Sequence, residues 1–185
     1  KFVKGQPDTG VEMAEDLERI AMNFGGENIA ACIVEPIAGS TGTLVPPKGY
    51  LKRLREICDK HGILLIFDEV ITGWGRTGSA FAAQEWGVTP DIMTMAKATT
   101  NGVVPMGVVA VKEEMYDAVL DASKAPEGTP ELFHGYTYSG IPVAVAAALA
   151  VQDIFDKEDI FNRAKEMSPY FQDGLHSLKD LKEVV

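Results

Sequence analysis

Residues 63–67 are five consecutive large apolar side chains, and two acids, Asp68 and Glu69, follow them directly. The run is far shorter than the roughly 18 apolar residues of a membrane span. A short, continuous apolar run instead favours a strand that is covered on both faces. Such strands are typical of parallel sheets, whose crossover helices pack on both sides. The run therefore predicts an α/β fold and places two carboxylates at the end of a buried strand.

The rest of the chain alternates in the same way. Three further apolar runs, at 28–34, 91–96 and 106–111, predict strands. Helical spacing of apolar residues predicts helices at 11–24, 47–61, 81–86, 113–121, 142–155 and 160–178. Strands that alternate with helices indicate a three-layer arrangement around a mostly parallel sheet.

Composition limits the classes of partner. The 185 residues are enough for one domain, and they carry 17 Lys and Arg against 27 Asp and Glu, a formal net charge of −10. Nucleic acid and anionic membranes are recognised first through positive charge, so we expect neither as a partner. Cys32 and Cys58 lie in apolar patterns that predict free thiols and a reducing, cytoplasmic compartment. No His, Cys or Asp cluster has metal-ligand spacing, so we expect no metal.

A glycine-rich segment at 73–78 has the G-x-G-x-x-G pattern of dinucleotide-binding folds. That function requires the glycines to open a helix whose N-terminus holds a pyrophosphate. Here Asp68 and Glu69 stand between the strand and the glycines, where they would repel phosphate. We therefore interpret the segment as a turn.

Three polar residues, Glu35, Asp68 and Lys97, each follow a predicted strand. Ligands of parallel sheets bind at the carboxyl ends of the strands. Asp68 and Lys97 follow apolar runs, so we expect both side chains to be partly shielded from water. A partly buried lysine readily becomes a nucleophile that forms a Schiff base, and a carboxylate is the partner of a pyridinium nitrogen. The alternative is that all three are ordinary solvated residues at strand ends.

A third candidate is the segment 134–140, which contains Tyr136, Thr137 and Ser139 and precedes an Ala-rich helix. Hydroxyls and backbone N–H groups ahead of a helix can bind phosphate. The simpler alternative is that Ser139 caps the helix.

Four motifs together resemble the class III, fold-type I, pyridoxal-phosphate aminotransferases, and the stretch from Pro46 to Ser139 looks most like their ω-amino acid:pyruvate (β-alanine:pyruvate) branch. The motifs are Ile33-Val34-Glu35-Pro36-Ile37, Leu64-Leu65-Ile66-Phe67-Asp68-Glu69-Val70, Gly73-Trp74-Gly75-Arg76-Thr77-Gly78 and Ala96-Lys97-Ala98-Thr99-Thr100-Asn101-Gly102. The resemblance implies that the chain, residues 1–185, is part of a PLP-binding large domain. It further implies that about 156–185 lead towards a C-terminal small domain, and that the phosphate-cup loop, ring-stacking aromatic and carboxylate-binding arginine lie outside this segment.

The same resemblance assigns roles to residues. Lys97 matches the lysine that binds pyridoxal 5'-phosphate as a Schiff base, and Asp68 matches the acid that pairs with the pyridine nitrogen. Val70 matches the residue packed on the cofactor ring, and Glu35 an acid near its phenolic edge. Tyr136 and Thr137 match the group that reaches the cofactor phosphate of a neighbouring subunit, which implies a homodimer or a higher oligomer with shared active sites.

Three positions depart from the family pattern. Thr99 stands where an aliphatic residue is usual, Ile141 stands where His is usual, and Ser40 stands where relatives acting on ornithine or 4-aminobutyrate carry an acid. The last departure favours the branch that uses pyruvate.

The resemblance implies transamination from an ω-amino acid or amine to a keto acid such as pyruvate. Two alternatives remain open from the sequence. One is a class III relative acting as an aminomutase or decarboxylase, and the other is a non-catalytic fragment.

Overall fold

The structure is a computed structural model, and it describes residues 4–123, 132 and 134–183. Its strands are β1 (Ala31–Val34), β2 (Leu64–Asp68), β3 (Ile92–Met95) and β4 (Val108–Val111). Its helices are α1 (Glu15–Phe24), α2 (Tyr50–His61), α3 (Ala82–Glu85), α4 (Glu113–Ser123), α5 (Pro142–Lys157) and α6 (Ile160–Ser177). Every predicted strand and helix is therefore confirmed, although the strands begin one to three residues later than their apolar runs.

The four strands form one sheet in the order β1-β2-β3-β4. β1 and β3 both pair with β2 in parallel, and β4 pairs with β3 in the antiparallel direction. The mostly parallel sheet is thus confirmed. Asp68 is in register with Thr94, so β2 and β3 end at the same edge of the sheet.

The core lies between one face of the sheet and helices α1 and α2. Leu65 and Phe67 are fully buried there, and the alternation of β2 turns Leu64, Ile66 and Asp68 to the opposite face. The buried cluster comprises Ala14, Ala21, Leu51, Leu54, Ile57, Cys58, Ile63, Leu65, Phe67 and Val88.

Helix α2 shows why the chain folds this way locally. Its buried residues recur at helical spacing. Gly62 ends the helix with a φ of 68°, and the N–H of Gly62 bonds to the carbonyl of Cys58.

The two cysteines are free thiols, as predicted. Cys58 is buried in the core, and Cys32 is partly buried beside it.

The second face of the sheet is less covered. Ile33, Val109 and Val111 are exposed there, and on this face the described residues supply little of the helical layer that a three-layer arrangement contains. Within the described part of the chain, no helix has the length and apolarity needed to cross a membrane.

One buried ion cluster ties the sheet together at the edge opposite Asp68. Asp91 is only 7% exposed, and it accepts hydrogen bonds from Arg55 of α2 at 2.7 Å and from the Leu65 N–H at 2.7 Å. Lys112, directly after β4, pairs with its other oxygen at 2.6 Å. Burial alone would raise the pKa of the Asp91 carboxyl, but hydrogen bonds from Lys112, Leu65 and Arg55 outweigh it and lower the pKa to about 2.

We expect Asp91→Asn to lower the free energy of unfolding by about 3 kcal/mol, because it leaves the largely buried Arg55 and the partly exposed Lys112 without the buried counter-charge that they share. The Asp91 pKa is lower in the folded than in the unfolded chain. Its ionisation therefore stabilises the fold above pH about 4, and this stabilisation is lost as the pH falls towards 2. Urea unfolding at several pH values measures both effects, and the variant should lack this part of the acid dependence.

The matched control is Asp59→Asn, which removes an exposed carboxylate from the same Arg55. An exposed ion pair contributes under about 1 kcal/mol. Equal effects of the two substitutions would contradict a special role for Asp91.

Candidate active site at the carboxyl edge of the sheet

The structure brings the ends of three parallel strands to one edge. Val34 is in register with Phe67, and Asp68 with Thr94. Glu35 follows β1 directly, Asp68 is the last residue of β2, and Lys97 comes two residues after β3. The prediction that these three residues share the carboxyl edge is confirmed.

Asp68 and Glu69 are neighbours in sequence but have opposite surroundings. Asp68 is half-buried, and its Oδ1 accepts one hydrogen bond from the Val70 N–H at 3.0 Å. Among the described residues, nothing donates to its Oδ2. One face of this carboxylate is therefore available to a ligand.

Glu69 points the other way, into the core, and its exposed fraction is 0%. Its carboxylate accepts hydrogen bonds from the Thr72 hydroxyl at 2.6 Å and from the N–H groups of Ala82 and Ala83 at 2.9 and 2.8 Å. Glu69 thus caps the N-terminus of α3 from 13 residues away. The apolar patterns of the sequence do not reveal this role, because only the alternation of β2, continued by one residue to Glu69, points to it.

The glycine-rich segment is a turn, as predicted. Trp74, Gly75 and Gly78 have positive φ, and the Gly78 N–H bonds to the Gly75 carbonyl at 2.9 Å. The next helix, α3, starts only at Ala82, and the Glu69 carboxylate occupies its N-terminus. The arrangement leaves no helix N-terminus there for a pyrophosphate.

Lys97 begins a short 3-10 turn, Lys97–Thr99, and its backbone is left-handed with a φ of 44°. The expectation that its side chain is partly shielded is wrong for this chain, because the residue is exposed. The strand before it is mostly covered, but the left-handed turn carries Lys97 out of the sheet. In the described part of the chain, its Nζ has no hydrogen bond or ion pair.

Glu35 is half-buried, and its Oε2 accepts the N–H of Gly39 at 2.9 Å. This bond closes the small-residue loop after β1. A side chain at position 39 would collide with Ile71, whose Cδ1 lies 2.5 Å from a Cβ built there. The loop after β1 therefore lies close against Ile71 in the segment that follows Asp68, and the end of the Ile71 side chain would have to shift for a larger residue at position 39.

A cavity of about 510 Å³ adjoins this edge and has the size of a small-molecule site. Val70 and Ala96 line it from the sheet side, and Tyr136, Tyr138 and Ser139 line it from the segment 134–140. Tyr136 and Thr137 are both exposed.

The capping alternative for Ser139 is wrong. Helix α5 begins at Pro142 with Ile141 as its N-cap, and no side chain caps it. The Ser139 hydroxyl instead accepts the Tyr136 N–H at 2.9 Å, which closes the turn ahead of the helix.

Comparisons with known proteins identify the family of this chain. The family model for class III aminotransferases matches residues 3–185. The chain is 58% identical over 182 residues to an omega-aminotransferase of Caulobacter vibrioides, covering 98% of this chain and 41% of that protein. It is 51% identical over 185 residues to a beta-alanine–pyruvate aminotransferase of Pseudomonas aeruginosa, covering all of this chain and 41% of that protein.

A solved amine transaminase from an uncultivated Pseudomonas species, in its PLP-bound internal aldimine form, superposes with a TM-score of 0.77 at 43% identity. The match covers 85% of this chain and 35% of that one. The chain belongs to the class III aminotransferases, and it spans about two fifths of the length of the two curated relatives.

We expect Glu69→Gln to lower the free energy of unfolding by about 2 to 3 kcal/mol, because its amide NH₂ would face the fixed N–H donors of α3. The matched control is Asp68→Asn, which changes a half-buried carboxylate with a single backbone hydrogen bond and should cost under about 1 kcal/mol. Thermal or urea unfolding of both variants measures the difference, and a costlier Asp68→Asn would reverse the two assignments.

Proposed function

We propose that this chain is part of a pyridoxal-phosphate-dependent aminotransferase that transfers an amino group from an ω-amino acid or amine to a keto acid such as pyruvate. The observation that carries the proposal is the arrangement of Asp68 and Lys97. They follow the ends of neighbouring parallel strands, and each has a polar atom without a partner among the described residues. The names of the omega-amino acid and beta-alanine–pyruvate relatives support the substrate class.

The residues present fit the cofactor chemically. An uncommitted amine at Lys97 suits covalent binding of an aldehyde, and a free carboxylate oxygen at Asp68 suits a protonated pyridine nitrogen. Val70, two residues after Asp68, lines the adjoining cavity with an apolar side chain. Pyridoxal phosphate, when bound, supplies an electron sink for the carbanion formed at the substrate carbon.

The chain's own residues would then do three things. Lys97 Nζ would bind the cofactor covalently. Once the amine of the substrate has replaced it there and left it a free amine, it would serve as the base that takes the proton from the amino-bearing carbon of the substrate. Asp68 would hold a proton at the pyridine nitrogen, which keeps positive charge where electrons must flow. Val70 would pack on the ring, and Glu35 would stand near its phenolic edge.

The proposal also covers the domain to which the chain belongs, its oligomeric state and its cellular compartment. Residues 1–185 would form part of the PLP-binding large domain, with about 156–185 leading towards a small domain. Tyr136 and Thr137 would serve the cofactor phosphate of the partner subunit of a homodimer, and their exposure supports an intermolecular role. The free thiols of Cys32 and Cys58 favour the cytoplasm.

We expect borohydride to fix the cofactor on Lys97 in the protein loaded with pyridoxal phosphate, because among the lysines of residues 4–123 and 134–183 this amine alone follows a strand end beside Asp68. Peptide mapping by mass spectrometry identifies the labelled lysine. Lys48, an exposed lysine paired with Asp8, is the internal control and should remain unlabelled. Label on Lys48 or Lys112 would contradict the assignment.

The reaction class has its own test. Transamination consumes one keto acid for each amine converted, whereas an aminomutase or decarboxylase needs no stoichiometric keto acid. Turnover of β-alanine that continues without pyruvate would therefore overturn the transaminase proposal, and a protein that takes up no cofactor would support the non-catalytic alternative.

We expect two inactive variants, Lys97→Ala and Thr137→Asp, to restore activity when their subunits exchange. In a mixed dimer with shared sites, one site receives both defects and the other receives neither, so activity should return towards half the native level per dimer. The matched control mixes Lys97→Ala with Asp68→Asn, two residues that would serve the same subunit's site, and should restore nothing. Verified exchange without recovery in the first mixture would show that Thr137 acts within its own subunit or not at all.

A further inference from the structure

Two segments beside the proposed site are joined by a short chain of partly buried hydrogen bonds. The indole Nε1–H of Trp74 donates to the hydroxyl of Thr99 at 3.0 Å. That hydroxyl in turn donates to the carbonyl of Ala96 at 3.0 Å. Thr99 is 2% exposed, so water does not compete for these bonds. The glycine turn after β2 is thereby connected to the residue immediately before Lys97.

The donor end of this connection is fixed in place. The ring of Trp74 packs edge-on against Phe81 with centroids 5.1 Å apart, and it stacks on Phe155 of α5 at 6.1 Å. Its backbone is held in the left-handed region at φ 63° between two glycines. The indole is therefore an anchored group rather than a mobile side chain.

The acceptor end is the turn that carries Lys97. A residue with a Cβ disfavours the left-handed conformation and keeps it only where the surroundings over-determine it. The backbone bonds of this turn are few. Thr100 and Gly102 donate to the Lys97 carbonyl at 3.4 and 3.3 Å, both long, and Thr99 donates to the Ala96 carbonyl at 3.0 Å. The Thr99 hydroxyl adds a second bond to that last carbonyl.

Thr99 is one of the positions where the chain departs from the family pattern, which has an aliphatic residue there. An aliphatic side chain would fill the space but would leave the Trp74 N–H without an acceptor, at the cost of an unsatisfied buried donor. The Thr99 hydroxyl therefore supplies the acceptor that the N–H of Trp74 needs.

We propose that Trp74 and Thr99 act together as positioning residues, which hold the left-handed turn at Lys97 and so set how the lysine amine meets the cofactor. The statement about how the amine meets the cofactor rests on the proposed function. The statement that the pair holds the Lys97 turn concerns only the backbone of this chain. Neither residue is proposed to touch the substrate.

The test uses Thr99→Val, which replaces the hydroxyl by a methyl group, and Trp74→Phe, which keeps an aromatic ring but removes the N–H. Thr99→Ser restores the hydroxyl and serves as the rescue variant. The control for loss of a buried hydroxyl is Thr72→Val, since Thr72 bonds to Glu69 in the core and not to the Lys97 turn. The double variant Trp74→Phe/Thr99→Val completes a double-mutant cycle, which measures the coupling between the two residues.

The first readout needs no cofactor. Hydrogen exchange of the Gly102 amide, which bonds to the Lys97 carbonyl, should become about tenfold faster in Thr99→Val and Trp74→Phe, as expected for loss of about one hydrogen bond. It should be unchanged in Thr72→Val and close to native in Thr99→Ser. Unchanged exchange in both test variants would overturn the proposal, whatever the protein binds.

The second readout is the absorbance of bound pyridoxal phosphate followed against pH. We expect the midpoint of this pH titration to move by about half a pH unit in each single variant, in the same direction. The double variant should show no larger shift than either single variant. An unmoved midpoint, or additive shifts, would overturn the pairing. A protein that binds no pyridoxal phosphate would refute the proposed function, and with it the role towards the cofactor, while the exchange experiment still decides whether the pair holds the turn.

Discussion

The parallel pairing of β2 with β3 is the constraint on which the rest of the site depends. The register of Asp68 with Thr94 puts the acid and the Lys97 turn at one edge, and the alternation of β2 turns Phe67 and Glu69 to the core and Asp68 to the other face. A slip of one residue would exchange the two faces. It would bury Asp68 between the sheet and helices α1 and α2 and leave the α3 N–H groups without Glu69. The packing of the core and the position of the site therefore both require the observed register.

The two edges of the sheet use charge in contrasting ways. At the amino edge, Asp91 is buried and fully engaged by Arg55, Lys112 and a backbone N–H, so its charge contributes to stability and has no capacity left for a ligand. At the carboxyl edge, Asp68 and Lys97 keep polar atoms without partners in the described part of the chain. Charged groups that have no partner within the fold are the ones available to bind a ligand or to react.

The sequence predicted the strands, the helices and the shared edge, because these follow from local apolar patterns and from the geometry of parallel sheets. It also rejected the dinucleotide motif for a sound reason, since the acid that follows β2 is the group that occupies the next helix N-terminus. It did not reveal that Glu69 caps α3, that Lys97 is exposed, or that Thr99 bonds to Trp74. Each depends on side chains that meet across 13 to 25 positions or on one backbone torsion, and apolar periodicity carries no information on either.

The exposure of Lys97 bears on how such a site could work. A carboxylate holds a pyridinium strongly only where water is excluded, because the interaction weakens steeply in a high dielectric. Here Asp68 is half-buried, Lys97 is exposed, and one sheet face displays Ile33 and Val109. For the proposed chemistry, the missing cover has to come from polypeptide other than the described residues. The two curated relatives are more than twice as long as this chain. The proposed partner subunit, which the Tyr136 segment would meet, would be one source of this cover.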